Sequence, residues 1–300
     1  MQTSESVRAA RLFGGDPAPE QTGSGSSPLG TFMLSKMQVA REDWPILSPK
    51  KAEVRDRELM ARALKHGDET EVQPIGRGIH RPYRITFSEG VEIGSVTTKQ
   101  AVMKTVYCQF ENKRYCQSVD LSISGPEREL LSYELDKVLG FDLVPPVVGR
   151  EIARMGFGSL QAWVSEPTAW EWNTKGYDYR KDLRNPWLHR LAAFDFIRGE
   201  IDRHANNWLM DVNRRVYAID NGYSFVKGDD RTWFRSSAGK HLNGTPVHPI
   251  VAGEIRSIDE QAVWKVMQDR GFVNGEAEGV LKRIQQLKSL RVWEKLGDLW

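Results

Sequence analysis

Residues 194–225, FDFIRGEIDRHANNWLMDVNRRVYAIDNGYSF, decide how the rest of the chain is read. An apolar run of helical character stops at Gly199, and Asp202, Arg203 and His204 follow at once. Asn207 stands five residues after Asp202, and a short apolar segment, VYAI, ends in Asp220. Gly is a common helix stop, and β-branched and aromatic residues in a short run suit a strand. Three side chains able to accept a proton or ligate a metal therefore flank short apolar segments. An Asp after a helix is by itself an ordinary cap or turn residue, so the pattern needs support from upstream.

Working outward, the chain's 300 residues suffice for one large or two small domains with a real core. Apolar residues make up 40% and charged ones 27%, as in an ordinary globular protein. Lys and Arg (42) nearly balance Asp and Glu (40), so no global field recruits nucleic acid or a membrane surface. Nothing approaches the roughly 18 apolar residues of a spanning helix. The first residues lack the apolar core of a signal peptide. Cys108 and Cys116 cannot complete a four-ligand zinc site; a hairpin between them could bring the thiols together, and reduced thiols in a cytosolic protein are the favoured reading. Together these features predict a cytoplasmic protein without a membrane anchor or a direct nucleic-acid partner. Oligomeric state is not legible.

Residues 1–30 are rich in Gly, Ser and Pro and predict a disordered tail. An N-terminal helical extension follows over 31–70, with a helix at 48–67 opened by Ser48 and Pro49 and stopped by Gly67. From 71 the period becomes two. EVQPIGRGIHRPYRITF reads as strand, glycine turn and strand, and KQAVMKTVYCQF as a third strand. SGPERELLSYELDKVLGF reads as a helix from Ser124 and Pro126 to Gly140. DLVPPVV and GSLQAWVSE read as two more strands. After 165 helices dominate: one ends at Gly199, and two more lie near 258–270 and 275–296, with loop between 220 and 258. The fold class is α+β and bilobal, with a small β-rich lobe over 71–165 and a larger, mainly helical lobe over 166–300. Ligand sites favour such a junction.

Phosphoryl transfer from ATP needs backbone or a glycine turn at the phosphates, a cation on them, and an acid that orients that cation. It also needs Mg²⁺ held by oxygen ligands and a carboxylate for the acceptor's proton. Gly76 and Gly78 in PIGRGIH supply a turn that backbone could bring close to phosphate. Lys104 in AVMK sits in a strand after that turn. Glu129 opens the next helix, with Glu127 as a competitor for the same role. Asp202 and Asn207 have the spacing of a kinase catalytic loop, and Asp220 ends a strand where it could hold Mg²⁺.

This order resembles the atypical branch of the protein-kinase-like superfamily: HipA-like kinases, phosphatidylinositol 3/4-kinase-like proteins and Golgi secretory-pathway kinases. The resemblance rests on FDFIRGEIDRHANNWLMD with YAIDNGYSF, since these groups share an Asp-Arg-His loop, and on ERELLSYELDKVLGFDLVPPVV. It covers roughly 71–225. It implies a bilobal protein-kinase-like fold and transfer of the γ-phosphate of ATP to a hydroxyl, with a Ser or Thr of a protein as the first choice. Mg²⁺ would be the cofactor, with Mn²⁺ as a substitute. Asp202 would be the catalytic base, Asn207 and Asp220 the metal ligands, and Lys104 the phosphate contact, held by Glu129. Gly76 and Gly78 would cover the phosphates, and backbone around Gln161 to Val164 would meet adenine. Arg203 and His204 would stabilise the loop, and Asp202 is expected to keep an ordinary carboxylate pKa. Two departures stand out: Glu200 where the relatives carry Asn two residues before the catalytic Asp, and bulky residues after the two glycines. The alternatives are a small-molecule or phosphoinositide-type kinase, an AMP transferase that binds ATP reversed, and a catalytically weak module that senses nucleotide. A basic strip with Lys227, Arg231, Arg235, Lys240 and His241 follows Asp220, and Ser236 and Ser237 within it are candidate phosphorylation sites.

Overall fold

The period-two segments form one antiparallel sheet. The computed structural model describes residues 51–75, 82–105, 124–153, 155–225, 235–273 and 275–293. The strands are β1 (Glu69–Pro74), β2 (Tyr83–Phe87), β3 (Glu92–Ile93), β4 (Val96–Thr105), β5 (Val147–Ile152) and β6 (Gly156–Val164). Their order is β1-β2-β4-β6-β5, with β3 paired to β4. Alternation divides the sheet into two faces. On one, Ile85, Phe87, Ala101, Met103 and Leu160 meet Met60 and Leu64 of α1 (Lys51–His66) in a single core. The register then puts Val102, Lys104 and their cross-strand partners Gln161 and Ser159 on the opposite face, away from α1.

Helix α2 (Gly125–Leu139) links the lobes. Its start is set by Ser124, whose side chain accepts the Glu127 N–H, with Pro126 in the first turn. Gly140 ends it at φ 69°, a left-handed conformation that glycine adopts without steric cost. Leu130, Leu131, Leu135 and Leu139 enter the large second core, which lies in the helical lobe. The centre of that core is α4 (Pro186–Arg198), preceded by the short α3 (Ala169–Thr174). The hairpin β7 (Trp208–Met210) and β8 (Val216–Ala218) lies at the junction. Trp208, Met210, Val216 and Ala218 face the helical core, while Leu209 and Tyr217 join the sheet-side core.

The stretch expected to be loop from 220 to 258 contains two helices, α5 (Ser237–Leu242) and α6 (Pro249–Arg256). Their single apolar faces are too short to stand out as periodicity, and tertiary packing of Ala238, Leu242, Val251 and Ile255 forms them. Helices α7 (Glu260–Asp269) and α8 (Glu276–Ser289) lie where they were expected. The tail over 1–30, the glycine turn at Gly76 and Gly78, and both cysteines lie outside the described residues. Among the described residues no helix is long and apolar enough to cross a membrane.

The C-terminal segment is tied to α4 through His189. Its ring Nδ1 accepts from Trp293 Nε1 at 2.7 Å and from the His248 backbone N–H at 3.1 Å, and Nε2 donates to Leu183 O at 2.9 Å. Protonating Nδ1 would break two of these bonds, and burial lowers the His189 pKa to about 4. A folded pKa below the unfolded one means that the contribution is complete above the ordinary value of 6.5 and is lost as pH falls toward 4. His248, also lowered by burial, acts in the same direction. We expect urea unfolding to show up to about 3 kcal/mol lost over that window. His189→Gln should flatten the titration while lowering stability at pH 7.

Candidate active site

Lys104 leaves the cleft face of β4 and reaches two carboxylates. Its Nζ lies 2.5 Å from Glu129 Oε1 on α2 and 2.8 Å from Asp220 Oδ1 beyond β8. Burial disfavours the ammonium, but Asp220 and Glu129 more than offset this and raise its pKa. Glu129 Oε1 also accepts the Asn221 N–H at 2.9 Å, so one carboxylate oxygen joins sheet, helix and the segment after β8. Of the two competing acids, Glu129 takes this place. Glu127 lies half a turn round α2 and faces Arg270 at 4.0 Å.

The loop between α4 and β7 is organised by Arg203, which is completely buried. Its Nε donates to Asp195 Oδ1 at 3.0 Å, its Nη1 to the carbonyls of Asn207 and Ile219, and its Nη2 to Asn221 Oδ1 at 2.6 Å. Ile219 N–H in turn donates to Asn207 O at 3.1 Å. Asn207, just before β7, and Asp220, just after β8, are thereby held near one another. Asn207 Nδ2 donates to Asp202 O at 2.8 Å, which leaves the amide oxygen as the group available to a cation. His204 is exposed, its Nδ1 accepting the Asn206 N–H at 3.2 Å.

Asp220 has φ 53°, a left-handed conformation uncommon outside glycine and a form of backbone strain found at functional sites. Asp202 is half-buried nearby. Its pKa departs from the ordinary value expected from sequence. Burial raises it, His204 lowers it, Asp220 raises it further, and the net shift is upward. Burial and a second carboxylate were not visible in the linear order.

The donor set suits a hard divalent cation that shares its shell with phosphate and water: one amide oxygen and one carboxylate. Among the described residues no three His, Cys, Asp or Glu side chains form a preformed metal cage. On the cleft face, Gln161 is buried with Nε2 lacking a hydrogen-bond partner, and Glu129 Oε2 is in the same condition. Buried polar atoms of this kind cost about 1–3 kcal/mol each until a partner arrives. Pairing between β5 and β6 ends at Val147 and Gln161, with the Ala162 N–H donating to Pro146 O. Val164 lies past the end of β5 and pairs only with Val96 of β4. The side chain of Gln161 and the backbone beyond Ala162 are therefore placed differently from one another. The first faces the cleft, and the second borders its rim.

Asp195 and Arg198 did not stand out in the linear order, and Glu200 stood out only as a departure; all three are fully buried. Arg198 Nη2 lies 3.2 Å from Asp195 and 3.0 Å from Glu200. Glu200 Oε1 accepts the N–H groups of Ile201 and Asp202, at 3.1 and 2.9 Å. Glu200 thus clamps the backbone of the loop two residues before Asp202. Burial raises its pKa against the pull of Arg198 and Arg203. The available signal was charge inside the apolar run AAFDFIRGE. Ser236, a candidate phosphorylation site, is instead buried. Its hydroxyl donates to Asp195 Oδ2 at 2.7 Å and accepts the Gly239 N–H. Ser237 accepts from Trp208 Nε1 at 3.1 Å.

Comparison with solved structures finds the Golgi casein kinase with Mn/ADP bound. It is 13% identical, with 93% of this chain and 92% of that chain covered at a TM-score of 0.50. A second Golgi casein kinase structure is 13% identical with 93% of each chain covered at 0.47. The Helicobacter pylori proinflammatory kinase CtkA is 11% identical, with coverages of 77% and 94%, at 0.44. No family model matches the chain. The Mycobacterium tuberculosis protein Rv2133c is 26% identical over 147 residues, 39% of this chain and 52% of that protein. The chain thus spans about half the length of the curated relative it matches. The likeness to the first structure is one of fold. This α+β, bilobal chain shares the kinase-like architecture of that first structure.

Removing Arg203 would leave Asp195 and Glu200 buried beside one remaining guanidinium. Arg203→Ala should cost about 3–5 kcal/mol in urea unfolding. Arg203→Lys should recover part of this, because a single ammonium cannot reach four acceptors in a planar fork.

Proposed function

We propose that the chain is an ATP- and Mg²⁺-dependent phosphotransferase that acts on a hydroxyl, with a protein Ser or Thr as the favoured acceptor. The observation that carries this is the meeting of Lys104, Glu129 and Asp220 from three separate elements, beside an Asp202–Asn207 loop locked by Arg203. Few other chemistries call for a carboxylate-held lysine next to a two-oxygen metal site and a further carboxylate. The relation to kinases in the atypical branch belongs to the same proposal, and Mn²⁺ could replace Mg²⁺.

Asn207 and Asp220 would hold the divalent cation, which supplies neutralisation of charge on the phosphate oxygens. Lys104 is charged and held by Glu129, so its ammonium is ready for the phosphates without reorganisation. Asp202 accepts the proton of the acceptor hydroxyl as the new oxygen–phosphorus bond forms. The bond from the γ-phosphorus to its bridging oxygen breaks, and ADP departs with that oxygen. The upward pKa of Asp202 brings it closer to the range where a base works well, although a late proton transfer does not demand this. Gln161 would meet the base edge through its amide, which can present either oxygen or nitrogen, and Val164 through backbone. Gly76 and Gly78 would cover the phosphates.

The test is incubation with ATP labelled at the γ- or the α-phosphate, with a mixture of protein acceptors. Label from γ, reduced roughly a hundredfold or more in Asp202→Ala and Asp220→Ala, is the expected result. Label from α would instead mean AMP transfer, and γ-transfer retained in either variant would remove these roles. Glu129→Gln should weaken nucleotide binding, and Glu127→Gln should leave it within about twofold, since a half-buried acid that faces Arg270 and makes no contact with Lys104 contributes little.

A further inference from the structure

Helix α2 is gripped at two points on one stripe. Glu129 holds Lys104, and Asp136, seven residues and two turns later, lies on the same side of the helix. The Asp136 carboxylate is wholly buried and accepts the N–H groups of Leu143 and Val144, both at 3.0 Å from Oδ2. Its third partner is Arg57 of α1, the helix packed on the sheet, whose Nη2 lies 2.9 Å from the same oxygen. The Arg57 guanidinium also donates to Val144 O at 2.8 Å, pairs with Asp142 Oδ1 at 3.0 Å and lies 5.0 Å over the ring of Tyr133 on α2.

From this geometry we propose that Arg57 is a positioning residue for phosphotransfer. It sets where α2 sits against the sheet and, through α2, whether Glu129 reaches Lys104. This rests on the function proposed above. The physical reason is the rigidity of a helix. A shift at Asp136 is transmitted along two turns to Glu129, and Glu129 makes a 2.5 Å contact that tolerates little displacement. Nothing else in α1 bears on α2 by an ion pair among the described residues. The other anchors of α1 run to the sheet edge: Lys65 Nζ to Gly149 O, and Arg150 of β5 to the carbonyls of Leu64 and Gly67. These give a control that loosens α1 without touching Asp136.

The experiment uses the full chain and compares Arg57→Ala, Arg57→Lys and Arg150→Ala. It measures Tm, the Kd of ADP with Mg²⁺, kcat and KM of phosphotransfer, and amide hydrogen exchange over 129–139. We expect Arg57→Ala to weaken nucleotide binding at least fivefold and to lower kcat at least tenfold, with faster exchange in α2. Arg57→Lys should restore part of both. Arg150→Ala should lower Tm but keep Kd and kcat within about twofold, because Arg150 holds α1 at the sheet edge without touching Asp136, Glu129 or Lys104. The proposal is overturned if Arg57→Ala keeps wild-type Kd and kcat, or if both Ala variants lose activity in proportion to their loss of Tm. A wild-type chain that neither binds nucleotide nor transfers phosphate overturns the proposed function, and this inference with it.

Discussion

Everything at the cleft depends on one buried guanidinium. Arg203 binds the carboxylate of Asp195 on α4, the carbonyls of Asn207 and Ile219 at the open end of the hairpin, and the side chain of Asn221. No other side-chain type offers five donors in a flat fork, so no other could tie four acceptors from three segments at once. Taking that charge out of water is expensive, and such clusters add little to net stability compared with an apolar core. What the cluster supplies is geometry. Asn207 and Asp220 are set near one another at the open end of the hairpin, and Glu200 fixes the backbone of Asp202.

Helix α2 carries the second constraint, because it belongs to both lobes. Its leucines are part of the helical-lobe core, its Glu129 reaches into the sheet, and its Arg128 donates to the carbonyls of Ser224 and Phe225 after Asp220. Arg198 adds a bond to Ser132. A helix held from so many sides has few alternative positions. This suits a site whose working parts come from three separate elements and must stay within hydrogen-bond reach of one another.

Much of this was legible in the linear order. Helix α2 could be bounded by Ser124, Pro126 and Gly140, since caps act over a few residues. The strands showed as period two, and Asp202, Asn207 and Asp220 stood out by spacing and by the apolar segments beside them. The choice between Glu127 and Glu129 was not legible, because both precede the same leucines. It depends on which helix face meets β4. Helices α5 and α6 were missed because each is short and is formed by packing rather than propensity. The raised pKa of Asp202 was missed because burial and the approach of Asp220 are properties of the folded chain.

By itself, then, the sequence determined the local elements, their order and the set of chemical groups at hand. Propensity, capping and periodicity act between near neighbours, and those are all present in the chain as written. Tertiary structure alone decided which groups meet. Lys104 and Asp220 are 116 residues apart and Arg57 and Asp136 are 79 apart. It also decided which charges are buried. Nothing in the linear order says that Asp195, Arg198, Glu200 and Arg203 are buried together. Only the packing of the chain around them removes the water that would otherwise solvate each separately, and so makes them bind one another.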